Sequence, residues 1–120
     1  MNFLEAKVTG RDAQGLTVAL PGGESLSVAA DASKGSVGDG VTLGIRPEHV
    51  LLADSGLTVT VGLIEQLGGN TVLYGTLSAQ QSVVVQVVGQ SAIRRGDTVQ
   101  VQFPPVACHA FDAKGLSLAN

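Results

Sequence analysis

The densest set of reactive side chains is Arg46-Pro47-Glu48-His49, which offers a guanidinium, a carboxylate and an imidazole within four positions. An acid beside an imidazole is the raw material of general acid–base catalysis. These residues follow the alternating stretch Val41-Thr42-Leu43-Gly44-Ile45, and neighbours on an extended strand point to opposite faces. Glu48 and His49 are therefore poorly placed to work on one proton. Together with Cys108 and His109 they are also the candidate metal ligands, but neither an i, i+4 histidine pair nor a Cys-x-x-Cys spacing supports a metal site. No Gly-x-x-x-x-Gly-Lys-Ser/Thr phosphate loop and no Gly-x-Ser-x-Gly nucleophile elbow is present. The glycine-rich stretch Gly35 to Gly40 lacks the following lysine and reads as a turn. What Arg46-Pro47-Glu48 suits physically is a corner. The proline ends a strand, and the flanking charges can pair with each other or bond loop carbonyls.

The elements that must position these residues are strands. Leu16 to Leu20, Leu26 to Val28, Val41 to Ile45, Leu57 to Glu65, Thr71 to Leu77, Val83 to Val88 and Val99 to Phe103 alternate or are rich in β-branched residues, bounded by Gly, Asn, Asp and Ser clusters. Asp12-Ala13-Gln14-Gly15 and Asp112-Ala113-Lys114-Gly115 read as hairpin turns. One helical turn is expected near Ser91 to Arg94 or at Pro47 to His49. The fold class is all-β, with about ten short strands, little helix and a barrel-like arrangement.

Composition limits the partners. With 120 residues the chain is one ordinary domain or two very small ones, and its 44% apolar content with only three Phe and one Tyr means an aliphatic core. Net charge is −3, and the four Arg and three Lys are scattered apart from Arg94-Arg95, so no basic stripe meets phosphates. Nucleic acid is not expected as a partner. A lone Cys108 makes no internal disulfide and reads as a buried small hydrophobe. No run approaches about 18 apolar residues and no leader pattern opens the chain, so a cytoplasmic setting is the expectation.

An internal repeat organises the whole. Gly38 to Asp54 lies without gaps on Gly96 to Asp112, with five of 17 positions identical, including the opening Gly-Asp, one proline and the closing Asp. Pro21 to Val28 falls on Ser78 to Val85 at nearly the same offset. The expectation is a single domain over 1–120 built of two pseudo-repeats, about 1–55 and 56–120. Units of that size are marginal alone, so they should pack together or share strands.

Met1-Asn2-Phe3-Leu4, Leu43-Gly44-Ile45-Arg46-Pro47-Glu48-His49, Glu65-Gln66-Leu67-Gly68 with Asn70-Thr71, and His109-Ala110-Phe111-Asp112 carry a resemblance covering essentially the whole chain. The sequence resembles the C-terminal regulatory segment, a TOBE or OB-like domain, of sugar-type ABC importer ATPases of the maltose and glycerol-3-phosphate uptake group. It departs from them at Pro105-Val106-Ala107, where relatives often repeat the Pro-Glu-His motif.

The resemblance implies a tandem pair of small OB-like barrels of the TOBE/MOP-like kind. It also implies a regulatory and dimerising role without catalysis. The ATPase domain, with its ATP and magnesium, would lie upstream, making Met1 an internal methionine; no cofactor is expected in this chain. The implied partners are a second copy, the chain's own ATPase domain, the transporter's membrane subunits and a cytoplasmic regulatory protein, at the inner face of the plasma membrane. The implied partner surface comprises Phe3, Gly38, Gly44, Arg46, Pro47, Glu48 and His49, with Phe3 either a core plug or an interface anchor. The alternative is a β module that binds a small ligand, a molybdate-type oxyanion or a sugar.

Overall fold

The structure is a computed structural model describing residues 1–118. Ten strands form two five-stranded antiparallel sheets. They are β1 (Asn2–Asp12), β2 (Gly15–Ala19), β3 (Ser25–Val28), β4 (Gly40–Ile45), β5 (Leu51–Ala53), β6 (Leu57–Gln66), β7 (Asn70–Thr76), β8 (Ser82–Val88), β9 (Thr98–Gln102) and β10 (His109–Phe111). The strands expected from sequence begin at Leu16, and the structure adds β1 ahead of them. Its alternation is regular, with Asn2, Leu4, Ala6 and Val8 buried and the residues between them exposed.

The first sheet runs β10-β4-β1-β2-β3 and the second β5-β9-β6-β7-β8. Each sheet thus completes itself with a short strand from the other part of the chain. Leu51–Ala53 leaves the first sheet's strands to pair with β9, and His109–Phe111 returns to pair with β4. The same hydrogen bonds recur in both sheets. Val8 and Val61 sit at bulges in β1 and β6, where Val8 bonds Gly38 and Asp39, and Val61 bonds Gly96 and Asp97, through their backbones at 2.7 to 2.9 Å. In each turn the aspartate carboxylate accepts a backbone N–H three residues back, from Ser36 or Arg94, at 2.9 Å.

Four 3-10 turns punctuate the strands: Ala32–Lys34, Pro47–His49, Ser78–Gln80 and Pro105–Ala107. The segment Ser91–Arg94 is not among them, which corrects one of the two places where a helical turn is expected. There the Ser91 hydroxyl takes the Ile93 N–H and the Asp97 carboxylate takes the Arg94 N–H, local bonds that compete with helix. Pro47–His49 packs against β8, and Pro105–Ala107 against β3, where Ala29 N–H donates to the Pro105 carbonyl at 3.1 Å. Each proline turn therefore bridges the open edge of the sheet that its following strand enters.

One aliphatic core runs through both sheets, including Leu4, Leu43 and Ile45 from one and Val59, Leu73 and Val101 from the other. The expected hairpin turns form as well: Asp12 Oδ1 accepts from Gln14 and Gly15, and Asp112 Oδ1 accepts from Lys114 and Leu116. The crossing from β5 to β6 passes Gly56 at φ +137, where an added Cβ would lie 2.2 Å from the Val101 carbonyl oxygen. Backbone cannot yield there as a side-chain tip would. Gly56→Ala is expected to cost about 2–4 kcal/mol, read as a shift in the urea midpoint at unchanged slope.

Candidate functional site

The most distinctive surface is an apolar patch built across three strands. Phe3 on β1 pairs with Gly44 on β4, and Gly44 pairs with His109 on β10, placing the three in one row. The next row holds Phe111 opposite Thr42. Because Gly44 has no side chain, its neighbours lean into the space above it. A Cβ built there would meet Met1 Sδ at 2.7 Å, Phe111 Cε2 at 3.3 Å and Phe3 Cε1 at 3.4 Å. Phe3 is 62% exposed and Met1 49%, so Phe3 is no core plug. Two aromatics and a methionine converging on a glycine make a soft apolar surface of the kind that anchors protein contacts.

The predicted residues fall into two places. Phe3, Gly44 and the turn Arg46 to His49 lie toward one end of β4, since Arg46 directly follows its last residue. Gly38 lies past the opposite end, about 20 Å from Gly44 at the usual strand rise. It belongs to the turn that docks on the β1 bulge, with φ +96 and its N–H on the Val8 carbonyl.

Glu48 and His49 stand on a 3-10 turn rather than an extended strand. Arg46, Glu48 and His49 are all exposed. No hydrogen bond or ion pair joins Arg46 to Glu48 among the described residues, so the corner is held by Pro47 and by the His49 and Val50 N–H bonds to the Arg46 and Pro47 carbonyls. No group of three or more His, Cys, Asp or Glu among the described residues is placed to hold a metal ion.

Met1, His109 and Phe111 join the patch without having been singled out for it. Their meeting depends on β10 crossing to the first sheet, a long-range pairing that no local pattern announces. Asn2 is likewise new. It is 6% exposed, and its amide donates to the Val84 carbonyl and accepts the Val84 N–H, both at 2.8 Å, so it ties β1 to the outer edge of β8.

Cys108 is buried behind the second proline turn, and burial pushes its thiol up to about 11 from the ordinary 9.0. The unfolded thiol ionises first as pH rises, so the unfolded state holds fewer protons in that window. Stability is therefore expected to fall between about pH 9 and pH 11 and to level off above. Urea titrations at pH 8 and 10 check this, with Cys108→Ala losing that part of the pH dependence.

Two family descriptions match. The TOBE domain matches residues 43–111, and the MalK OB fold domain matches residues 1–50. The maltose/maltodextrin import ATP-binding protein MalK of Photorhabdus laumondii is 34% identical over 119 residues, covering 96% of this chain and 32% of that protein. The sn-glycerol-3-phosphate import ATP-binding protein UgpC of Chromohalobacter salexigens is 37% identical over 105 residues, covering 82% of this chain and 28% of that protein. The chain thus spans about a third of the length of these curated relatives, and it carries no ATPase motif. Among solved structures, the cytoplasmic molybdate-binding protein ModG with molybdate bound superposes with a TM-score of 0.80 at 17% identity, over 91% of this chain and 94% of that one, a likeness of fold. The chain belongs to the TOBE domain family, and its first 50 residues match the MalK OB fold.

Proposed function

We propose that this chain is the regulatory and dimerising domain of the ATP-binding subunit of an importer for sugars or related solutes. ATP and magnesium would be handled by a separate ATPase domain, and this domain would hold two such subunits together while offering a surface to a cytoplasmic regulator. The setting would be the inner face of the plasma membrane, beside the membrane subunits. The observation that carries the reading is the patch over Gly44, made of exposed Met1 and Phe3 with half-buried Phe111, in a family whose relatives here are import ATP-binding proteins. The turn Arg46 to His49 supports it, since among the described residues its exposed charged side chains have no partner and are available for contact.

Sedimentation over a rising concentration series tests the dimerising part. The wild-type chain is expected to self-associate. Phe3→Glu should abolish that, with stability kept within about 0.5 kcal/mol because the ring is exposed. A strictly monomeric wild-type chain at high concentration contradicts this reading.

The oxyanion alternative draws on the fold of the molybdate-bound neighbour. It finds less support in the side chains: Arg and Lys are dispersed, and the polar contact between the two sheets' β2–β3 and β7–β8 loops is made by a carboxylate, Glu24 Oε2, accepting from Ser78 Oγ at 2.5 Å. A carboxylate repels an oxyanion.

A further inference from the structure

The two sheets differ in one respect that their shared bonding pattern exposes. In the first sheet, the segment Leu116–Leu118 lies along the outer edge of β10. Leu118 N–H donates to the Ala110 carbonyl at 2.8 Å, Asp112 N–H donates to the Leu116 carbonyl at 2.9 Å, and Phe111 bridges Ser117. On its other side the Leu118 carbonyl accepts the Asp31 N–H at 2.8 Å, just beyond β3. This segment therefore fills the gap between the first sheet's two edges and sends Leu118 into the core, leaving Ala110 3% and Leu118 4% exposed.

The second sheet has the corresponding edges; Asn2 caps Val84 and Pro47–His49 packs on β8, but among the described residues no segment bonds the outward groups of Leu52 and Val88. Leu52 faces Val101 on β9 as Ala110 faces Leu43 on β4, each pair 58 residues from the other. The Ala110 carbonyl points away from β4, so the Leu52 carbonyl points away from β9. Across the gap, the Val84 backbone groups face outward to Asn2, and alternation turns those of Val88 outward too. Leu52 is 39% exposed and Val88 87%, against the sealed first sheet.

We propose that the gap between β5 and β8 is a strand-addition site for an extended segment of another protein, with apolar residues two positions apart flanking a small polar one. The occupant's chemistry is that of Leu116-Ser117-Leu118, which fills the matching gap in the same chain. Its backbone would bond the outward groups of Leu52 and Val88, and an apolar side chain would cover Leu52. The site continues the seam along which the two sheets already exchange strands.

The test adds a synthetic peptide of the sequence of residues 112–118 to the isotope-labelled chain and follows backbone amides by NMR. Shifts and slowed exchange centred on Leu52, Asp54 and Val88 are expected. Leu52→Lys and, as a second variant at a more exposed position, Val88→Lys should each weaken binding at least tenfold, with the spectrum otherwise native. Phe3→Glu should leave it unchanged. Shifts confined to Asp31 and Ala110, where the peptide would be displacing the chain's own segment, overturn the proposal. So does association of copies by exchange of that segment, or no binding at millimolar peptide.

Discussion

Divided between Ser55 and Gly56, the chain is expected to lose its cooperative fold in both pieces and to recover it when they are mixed. The first piece would carry β1 to β4 without β10, and would hold β5 with no β9 to pair with; the second would be deficient in the converse way. Each would also expose its side of a core in which Leu43 and Ile45 join Val59, Leu73 and Val101. Units of about 55–65 residues bury only about 60% of their extended surface, and losing a closing strand removes them from the stable range. Far-UV circular dichroism should show no cooperative thermal transition for either piece and a single one for the equimolar mixture. A sharp transition in one monomeric piece would mean that strand exchange is incidental to stability.

Asn2→Ala is expected to destabilise the chain by about 2–4 kcal/mol. The side chain satisfies both backbone groups of Val84, and its removal strands a donor and an acceptor in a shielded position, each worth about 1–3 kcal/mol when left unpaired. Neighbouring bonds would weaken too, since Glu5 N–H reaches Gln81 Oε1 along the same seam. Glu48→Ala supplies the comparison: an exposed side chain with no partner among the described residues should move stability by less than about 0.5 kcal/mol. Equal midpoints for the two variants in urea would show that the Asn2 clasp does not hold the sheets together.

These expectations also show where the sequence was informative. Alternation in Val41 to Ile45 and Leu57 to Glu65 announced strands because one face of each is buried, and period two follows directly from that. The Gly-Asp pairs at 38 and 96 were visible because a positive-φ glycine followed by a capping carboxylate is a local requirement of the turn. The 58-residue offset that aligns them also carries Pro47–His49 onto Pro105–Ala107 and β5 onto β10.

Long-range pairing was not legible. Nothing local in Leu51–Ala53 or His109–Phe111 says that each joins the other sheet, so Phe111 could not be placed beside Phe3. Gly44 read as one member of a strand, and its role as the floor of a patch appeared only when three strands were laid side by side. Asn2 escaped notice because a buried amide whose partner is 82 residues away leaves no mark on its neighbours.

The face over Gly44 is proposed as the place where this chain meets another protein, beginning with its own second copy. A dilution series of the isotope-labelled chain, followed by backbone amide NMR, tests it most directly. Concentration-dependent shifts are predicted to cluster at Asn2, Phe3, Gly44, His109 and Phe111. A spectrum invariant up to millimolar concentration, or shifts that gather elsewhere and spare Phe3 and Gly44, would contradict it.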